Sequence, residues 1–212
     1  MSGSRRSPAG ARYGLALAGS YAVRAHGIGS RPSGDVDLFT TWQHRDEFPE
    51  LTSAVVAALT AAGYATSVIM TGETFARLIV ADPLDGREEK LELSADWRAH
   101  DPVQLDVGPV LHPDDAVANK VCALFGRALP RDFLDVDAML MSGGYTREQL
   151  LELAAAADHG FDPLIFADAL GALTLITDAA FAEYGTDPHA IADMRRRFAE
   201  WRHQLIEKRA SS

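Results

Sequence analysis

The amino-acid sequence predicts an α+β protein in which a small mixed-sheet half precedes an all-helical half. Between residues 13 and 97, short apolar segments bounded by turn residues predict β-strands. From Pro113 onward, every periodic segment has the spacing of an amphipathic helix. With 212 residues, 47% of them hydrophobic, the chain can bury a sizeable core. We therefore predict a sheet domain over residues 1–112 and a helical domain over residues 113–212.

The elements of the first half follow from apolar runs and the residues that interrupt them. Residues 1–9 are rich in Ser, Arg, Gly and Pro and are expected to form a loose arm. Two helices are predicted, SYAVRAHG from Ser20 and FPELTSAVVAALTAAG closed by Gly63. The predicted strands are RYGLALAG, DVDLFT, YATSVIMT, FARLIVAD and KLELSADW, the last two joined by the hairpin connection DPLDGREE.

The second half consists of predicted helices with clear start signals. TREQLLELAAAADHG opens with the capping box Thr146 to Gln149, and two later helices start with an Asp-Pro pair. The predicted helices are PDDAVANKVCALFGR, PRDFLDVDAMLMS, TREQLLELAAAADHG, DPLIFADALGALTLIT and DPHAIADMRRRFAEWRHQLIEKR.

Charge and composition exclude several classes of function. The net charge of −10 argues against nonspecific coating of nucleic acid, although a local basic surface remains compatible with it. No apolar run approaches the roughly 18 residues of a membrane span, so no membrane partner is expected. A single cysteine, Cys122, rules out an intramolecular disulfide and is compatible with a reducing cytoplasm, where we expect the protein.

Two aspartates in the strand DVDLF predict a metal site. Asp35 and Asp37 alternate with apolar residues, so both carboxylates share one strand face and repel each other unless a cation lies between them. Gly19 lets the backbone approach a ligand closely, and Ser20 starts a helix whose free N–H groups suit a phosphate. The pattern predicts Mg²⁺ or Mn²⁺ held against phosphates, with a solvated edge strand as the alternative.

Ser33 lies two residues before the first of these aspartates. If the strand continues backward, its hydroxyl points into the same site. Phosphorylation of Ser33 would then place negative charge beside the two carboxylates and disfavour activity.

A third carboxylate on a neighbouring strand is typical of two-metal phosphoryl chemistry. In KLELSADW, Glu92 leaves the strand on the face opposite its flanking leucines, which makes it the favoured candidate. Asp96 lies further along and is the other candidate. A half-exposed strand with its polar side chains in water would explain the same pattern.

The first helix after the boundary supplies cations. Lys120 lies beside alanines on one helix stripe, and a lysine in an arginine-rich chain suggests a compact point charge for a phosphate. A lysine whose stem lies along a helix edge is the alternative. Asp132 and Asp135, one turn apart on the next helix, can pair with nearby cations and orient Lys120. Arg127 and Arg131 are expected to organise the same pocket.

Taken together, the order and spacing of these residues resemble the AbiEii/AbiGii nucleotidyltransferases, the toxin components of type IV toxin–antitoxin systems. The resemblance covers about residues 13–140 and is carried by Gly19-Ser20, RPSGDVDLF, KLELS and NKVCALFGRALPRDFLDV. The matching positions are Gly19, Ser20, Arg31, Ser33, Asp35, Asp37, Glu92, Lys120, Ala123, Leu124, Arg127, Arg131, Asp132 and Asp135.

The resemblance implies a fold of the DNA-polymerase-β-like nucleotidyltransferase superfamily and transfer of a nucleotide from an NTP to RNA, with the 3′ end of a tRNA as one acceptor. A cognate antitoxin is an expected partner, and the helical domain is expected to complete the active site and contact the acceptor. The implied residues are Asp35, Asp37, Lys120 and Asp132 for catalysis, Gly19, Ser20, Arg31, Ser33, Lys120 and Arg127 for the nucleotide, and Asp35, Asp37 and Glu92 for Mg²⁺ or Mn²⁺.

Other functions fit the same pattern. The acceptor could be a small molecule or a protein, the chain could be a nucleotidyltransferase-fold binding module without activity, or it could be an unrelated α+β protein. Steep salt dependence of binding would distinguish an RNA acceptor. The best candidate RNA surface is MRRRFAEWRHQLIEKR, where Arg195, Arg196 and Arg197 add charge and Trp201 could stack on a base. A solvated helix end rich in cations is the alternative.

Overall fold

The structure is a computed structural model that describes Gly10, residues 12–29, Arg31 and residues 33–210. The arm predicted for residues 1–9 lies outside the described residues. The chain divides into two compact units, one formed by Met1–Ala25 with Ser33–Pro113 and the other by His26–Pro32 with Asp114–Ser212.

The strands of the described chain form one mixed, seven-stranded sheet, which lies in the first unit. Its order is β3-β4-β5-β2-β1-β7-β6; β2 is parallel to β5 and β1 to β7, and the other neighbouring pairs are antiparallel. The strands are β1 Ala16–Leu17, β2 Asp35–Thr41, β3 Ala65–Thr71, β4 Phe75–Ala81, β5 Glu88–Asp96, β6 Val103–Leu105 and β7 Gly108–Val110.

Two helices of the first unit have described bounds, α1 Gly19–Ala25 and α2 Phe48–Ala61, with a 3₁₀ segment at Trp42–Glu47 between β2 and α2. One face of the sheet forms the core: Leu91 and Leu93 of β5 cluster with Phe48 and Leu51 of α2. Because strand side chains alternate between faces, the odd-numbered aspartates of β2 lie on the opposite face of the sheet. The predicted alternation is confirmed.

Three details of the first unit differ from the sequence predictions. The predicted first strand contracts to β1, because Gly14 has φ +58° and turns the backbone before the strand begins. Strand β2 begins at Asp35, so the expectation that it continues back through Ser33 is wrong. The strands β6 and β7 were not predicted, because three-residue strands are too short to show an alternating pattern.

The second unit is helical in its described part. Its helices are α3 Pro113–Arg127, α4 Pro130–Met141, α5 Arg147–Ala157, α6 Pro163–Gly171, α7 Asp178–Ala182 and α8 Pro188–Ala210, with a 3₁₀ turn at Ala172–Leu175. The capping box is confirmed, since Thr146 Oγ1 accepts from the Gln149 N–H and Gln149 Oε1 accepts from the Thr146 N–H. The helix predicted to reach Thr177 ends earlier, at Gly171, where the side chain of Arg202 packs closely. None of the described helices is both long and apolar enough to cross a membrane.

Candidate active site

The parallel pairing of β2 with β5 brings three carboxylates to one face of the sheet. Asp37 pairs in register with Glu92, and Asp35 pairs with Lys90. Because adjacent strands lie about 4.8 Å apart, the side chains of each pair are neighbours. We call Asp35, Asp37 and Glu92 the carboxylate face. The sequence predicted the alternation within each strand, and the register between the strands aligns Glu92 with Asp37 while Asp96 lies opposite Thr41.

Gly19 lies against the carboxylate face. Its backbone has φ +60°, and a Cβ atom on it would come within 1.8 Å of Asp37 Oδ2. The neighbouring Ala18 N–H donates to the Asp37 carbonyl oxygen at 2.8 Å. Glycine is therefore required here both by the left-handed backbone and by the close approach to a carboxylate. Ser20, the next residue, is buried at the start of α1.

The surroundings of the Asp35 carboxylate show whether this face fits a bound cation. Its Oδ1 atom is buried and accepts no hydrogen bond from any residue that the structure describes. Among the described residues, Lys90 forms an ion pair with it: Lys90 Nζ lies 3.5 Å from that oxygen on a side chain that is 55% exposed. A buried carboxylate oxygen without a hydrogen bond is costly. Carboxylate oxygens are the ligands that Mg²⁺ and Mn²⁺ prefer, so the carboxylate face fits a divalent cation.

Arg77 of β4 is a member of this face that the sequence interpretation missed. Its Nε and Nη2 both contact Glu92 Oε1, at 2.8 and 2.6 Å. The antiparallel register of β4 with β5 places Arg77 directly opposite Glu92. Counting back across the predicted DPLDGREE hairpin could have suggested this pairing, but the uncertain length of the turn leaves the register open. Arg77 and Lys90 thus accompany the three carboxylates.

A second group of predicted residues meets in the helical unit around Asp135. Arg31 donates from Nε to Asp135 Oδ1 at 2.7 Å and from Nη2 to Oδ2 at 3.0 Å. Lys120 Nζ lies 2.7 Å from Asp135 Oδ2. Burial favours a raised pKa for Asp135, but the hydrogen bonds and charges of Arg31 and Lys120 outweigh it and lower the pKa below 3.8.

Asp132 has different partners from Asp135. It is fully buried and accepts two hydrogen bonds from Arg127, at 2.9 and 2.8 Å. It also accepts from the Leu129 N–H at 3.1 Å, which caps the start of α4. The predicted pairing of the two aspartates with nearby cations is therefore observed, with Asp135 orienting Lys120 and Asp132 orienting Arg127. Nearby, Arg131 Nε is buried without a hydrogen-bond partner among the described residues.

Ser33 lies outside β2, and its carbonyl oxygen accepts from the Tyr21 hydroxyl at 3.3 Å. Since the strand begins two residues later, the alternation of β2 does not fix the direction of the Ser33 side chain. The expectation that phosphorylation of Ser33 would place charge beside the aspartates therefore loses its premise.

The C-terminal helix α8 offers less free charge than its sequence suggests. The expectation that Trp201 could stack on a base is wrong, because its side chain is 1% exposed and packs on Phe166. Arg197 makes a two-pronged pair with Asp137 at 2.8 and 2.7 Å. Arg195 donates to two carbonyl oxygens and to Asp178.

Arg196 differs from its two neighbours on α8. Its side chain is 65% exposed, with an ion pair to Asp193 on the same helix. The side chain of Arg209, which belongs to the same charged run, lies outside the described residues.

Comparisons with known proteins identify the family and the fold of the chain. The family model described as "Nucleotidyl transferase AbiEii toxin, Type IV TA system" matches residues 4–209. A search of curated proteins gave no match.

Three solved structures share the fold. JHP933 from Helicobacter pylori is 20% identical with a TM-score of 0.54, covering 97% of this chain and 90% of its own. A nucleotidyltransferase from H. pylori, described as putative, is 17% identical with a TM-score of 0.56, covering 95% and 90%. The nucleotidyltransferase toxin MenT4 of Mycobacterium tuberculosis H37Rv is 18% identical with a TM-score of 0.54, covering 90% and 78%.

The family model spans nearly the whole chain, and the motifs that suggested the resemblance fall within it. The predicted α+β fold and the predicted family are both confirmed. The chain therefore belongs to the AbiEii family of type IV toxin–antitoxin systems, and it is a nucleotidyltransferase toxin.

Proposed function

We propose that this nucleotidyltransferase transfers a nucleoside monophosphate from an NTP to an RNA hydroxyl and that the transfer depends on Mg²⁺ or Mn²⁺. The 3′ end of a tRNA is the acceptor to test first. In the transfer, the acceptor hydroxyl releases its proton to solvent as its oxygen forms a bond to the α-phosphorus, the bond from that phosphorus to the β-phosphate oxygen breaks, and pyrophosphate leaves.

The observation that carries the metal dependence is the buried Oδ1 of Asp35, beside Asp37, which accepts no hydrogen bond from a described residue. Without a cation, two carboxylates on one strand face repel each other. Asp35 and Asp37 are the proposed metal ligands, with Glu92 as the third. A divalent cation bound there would supply positive charge to the phosphates and to the attacking oxygen.

The surroundings of the protein groups support the roles proposed for them. Gly19 keeps the backbone beside Asp37 free of a side chain, and Gly19 with Ser20 is proposed to hold NTP phosphates, as the family motif implies. We expect positioning and charge stabilisation to carry most of the catalysis. Ser33 remains a proposed nucleotide contact through the family motif alone.

Lys120 is the proposed phosphate contact of the helical unit. Asp135 fixes its ammonium group at 2.7 Å, and only 11% of the lysine side chain is exposed. A buried lysine held by a carboxylate has few rotamers left, so its charge is preorganised. Arg31 shares Asp135 and is proposed to fix that carboxylate, and Asp132 is proposed to act on the nucleotide through Arg127.

The antitoxin partner is implied by the family, and we propose no binding surface for it. RNA is preferred over a protein or small-molecule acceptor because a toxin that modifies RNA fits the family resemblance. The intact set of carboxylates and cations favours an active enzyme over a binding module without activity.

The test is to incubate the protein with Mg²⁺, total RNA and each NTP in turn, and to measure RNA masses. We expect one RNA class to gain the mass of one or more nucleotides with one NTP, and Asp37→Asn to abolish the gain. Asp46→Asn, at a side chain that is 83% exposed, is the matched control and should behave as wild type. Transfer to protein or to a small molecule, with RNA unchanged, would contradict the RNA acceptor.

A further inference from the structure

Arg77, Glu92 and Asp37 form one row across three strands of the sheet. Arg77 of β4 pairs in register with Glu92 of β5, and Glu92 pairs in register with Asp37 of β2. All three side chains therefore leave the same face, in the order cation, carboxylate, carboxylate. The next row along holds Lys90 between Ile79 and Asp35.

The guanidinium of Arg77 uses only one oxygen of Glu92. Nε and Nη2 both contact Oε1, at 2.8 and 2.6 Å, and no described residue bonds Oε2. The Glu92 side chain is 19% exposed and that of Arg77 is 36% exposed. Since charge-assisted hydrogen bonds are stronger at partly buried sites than at the surface, this pair holds Glu92 in one orientation.

Lys90 is the weaker of the two cations on this face. Its distance of 3.5 Å to Asp35 is beyond good hydrogen-bond geometry, and its side chain is 55% exposed. Arg77 is thus the closer of these two counter-charges, and it acts on Glu92.

We propose that Arg77 is a resident counter-cation that competes with a divalent metal for the charge of Glu92, so that it sets the metal concentration at which the carboxylate face fills. The metal site itself rests on the proposed function. Arg77 is a positioning residue, because it acts on the metal through Glu92. Its positive charge repels an incoming dication, while Oε2 of Glu92 remains open to it.

The competition has a measurable consequence. Replacing Arg77 by glutamine removes the positive charge, leaves a shorter polar side chain, and restores the full negative charge of Glu92. Solvent partly screens the charge of Arg77, which limits its effect on the metal. We therefore expect Arg77→Gln to bind Mn²⁺ only about threefold to tenfold more tightly than wild type. The melting temperature without metal should fall, because Glu92 loses the counter-charge of Arg77, and Mn²⁺ should restore it.

The experiment is an electron paramagnetic resonance titration of Mn²⁺ alone, without NTP or RNA, on wild type and variants. Arg87→Gln is the matched control, because it removes the same charge from a 70% exposed side chain that pairs with Glu89. It should leave the Mn²⁺ affinity within about twofold of wild type. In a Glu92→Gln background, Arg77→Gln should lose most of its effect, since the carboxylate for which it competes is absent.

Arg77→Lys keeps the charge but loses the planar fork, so its Mn²⁺ affinity should lie between those of wild type and Arg77→Gln. Unchanged Mn²⁺ affinity in Arg77→Gln would overturn the proposal, and so would weaker binding, which would show that Arg77 organises a metal ligand instead of competing with the metal. Absence of Mn²⁺ binding by wild type would overturn it as well. Failure to find an RNA acceptor would leave it intact, since neither RNA nor NTP is present in the titration.

Discussion

A Cβ atom added to Gly19 would lie 1.8 Å from Oδ2 of Asp37, so the backbone of one residue is in contact with the carboxylate of the other. The motif Gly19-Ser20 and the motif Asp35-x-Asp37 are therefore one structural feature. The glycine is required by the carboxylate, whatever ligand the site takes.

Gly19→Ala should displace Asp37 and weaken both Mn²⁺ binding and nucleotide transfer. The matched control is Gly86→Ala in the hairpin turn, because Gly86 has φ +69° and an added Cβ atom would meet nothing within 4 Å. Both variants carry backbone strain of about 1 kcal/mol. Equal activity of the two variants, measured as labelled nucleotide transferred, would show that Gly19 serves only the backbone turn.

Asp135→Asn should destabilise the helical unit in a pH-dependent way. Removing the charge leaves Arg31 and Lys120 buried without their carboxylate, at a cost of about 3 kcal/mol. The folded-state pKa of Asp135 lies below 3.8, so its stabilising contribution is complete above about pH 5 and is lost as the pH falls through the folded-state pKa. Urea denaturation between pH 7 and pH 3 should show that the free energies of unfolding of wild type and of Asp135→Asn converge as the pH falls. A constant difference would refute the assignment.

Lys120→Ala should lose nearly all transfer while the protein remains folded, because Asp135 keeps Arg31 as a partner. Lys120→Arg should remain impaired, since a planar fork does not replace a compact ammonium. Arg87→Ala, at a 70% exposed side chain in the hairpin between β4 and β5, is the control. Wild-type turnover by Lys120→Ala would return this lysine to a purely structural role.

Single substitutions of Arg196 and Arg197 should have different effects, the first on RNA binding and the second on the free energy of unfolding. Arg197→Gln breaks the pair with Asp137 and should lower the free energy of unfolding by about 1 kcal/mol. Arg196→Gln should leave the free energy of unfolding within about 0.5 kcal/mol of wild type. It should weaken RNA binding and reduce, by about one, the slope of the logarithm of the binding constant against the logarithm of the salt concentration. If RNA affinity and salt slope are unchanged, α8 is a solvated face and another surface holds the acceptor.

The features that could be predicted from the sequence are those that depend on the residue pattern within one strand or helix. The alternation of β2, the position of Glu92 opposite its flanking leucines, and the capping box at Thr146 all follow from the pattern within one element. Arg77 and Arg31 were harder to place, because their partners lie on other elements and depend on strand register or on a loop. Trp201 shows the opposite error: an aromatic in a charged run looked exposed, whereas its side chain is in the core of the helical unit.

We propose that Asp35 and Asp37 together form the catalytic centre. The most direct measurement is transfer of label from an α-³²P-labelled NTP to the acceptor by wild type, Asp35→Asn and Asp37→Asn, with Asp46→Asn as the charge-matched control. We expect a loss of about a hundredfold or more in both site variants, with melting temperatures within a few degrees of wild type. Full activity in either Asp35→Asn or Asp37→Asn would contradict the two-carboxylate centre.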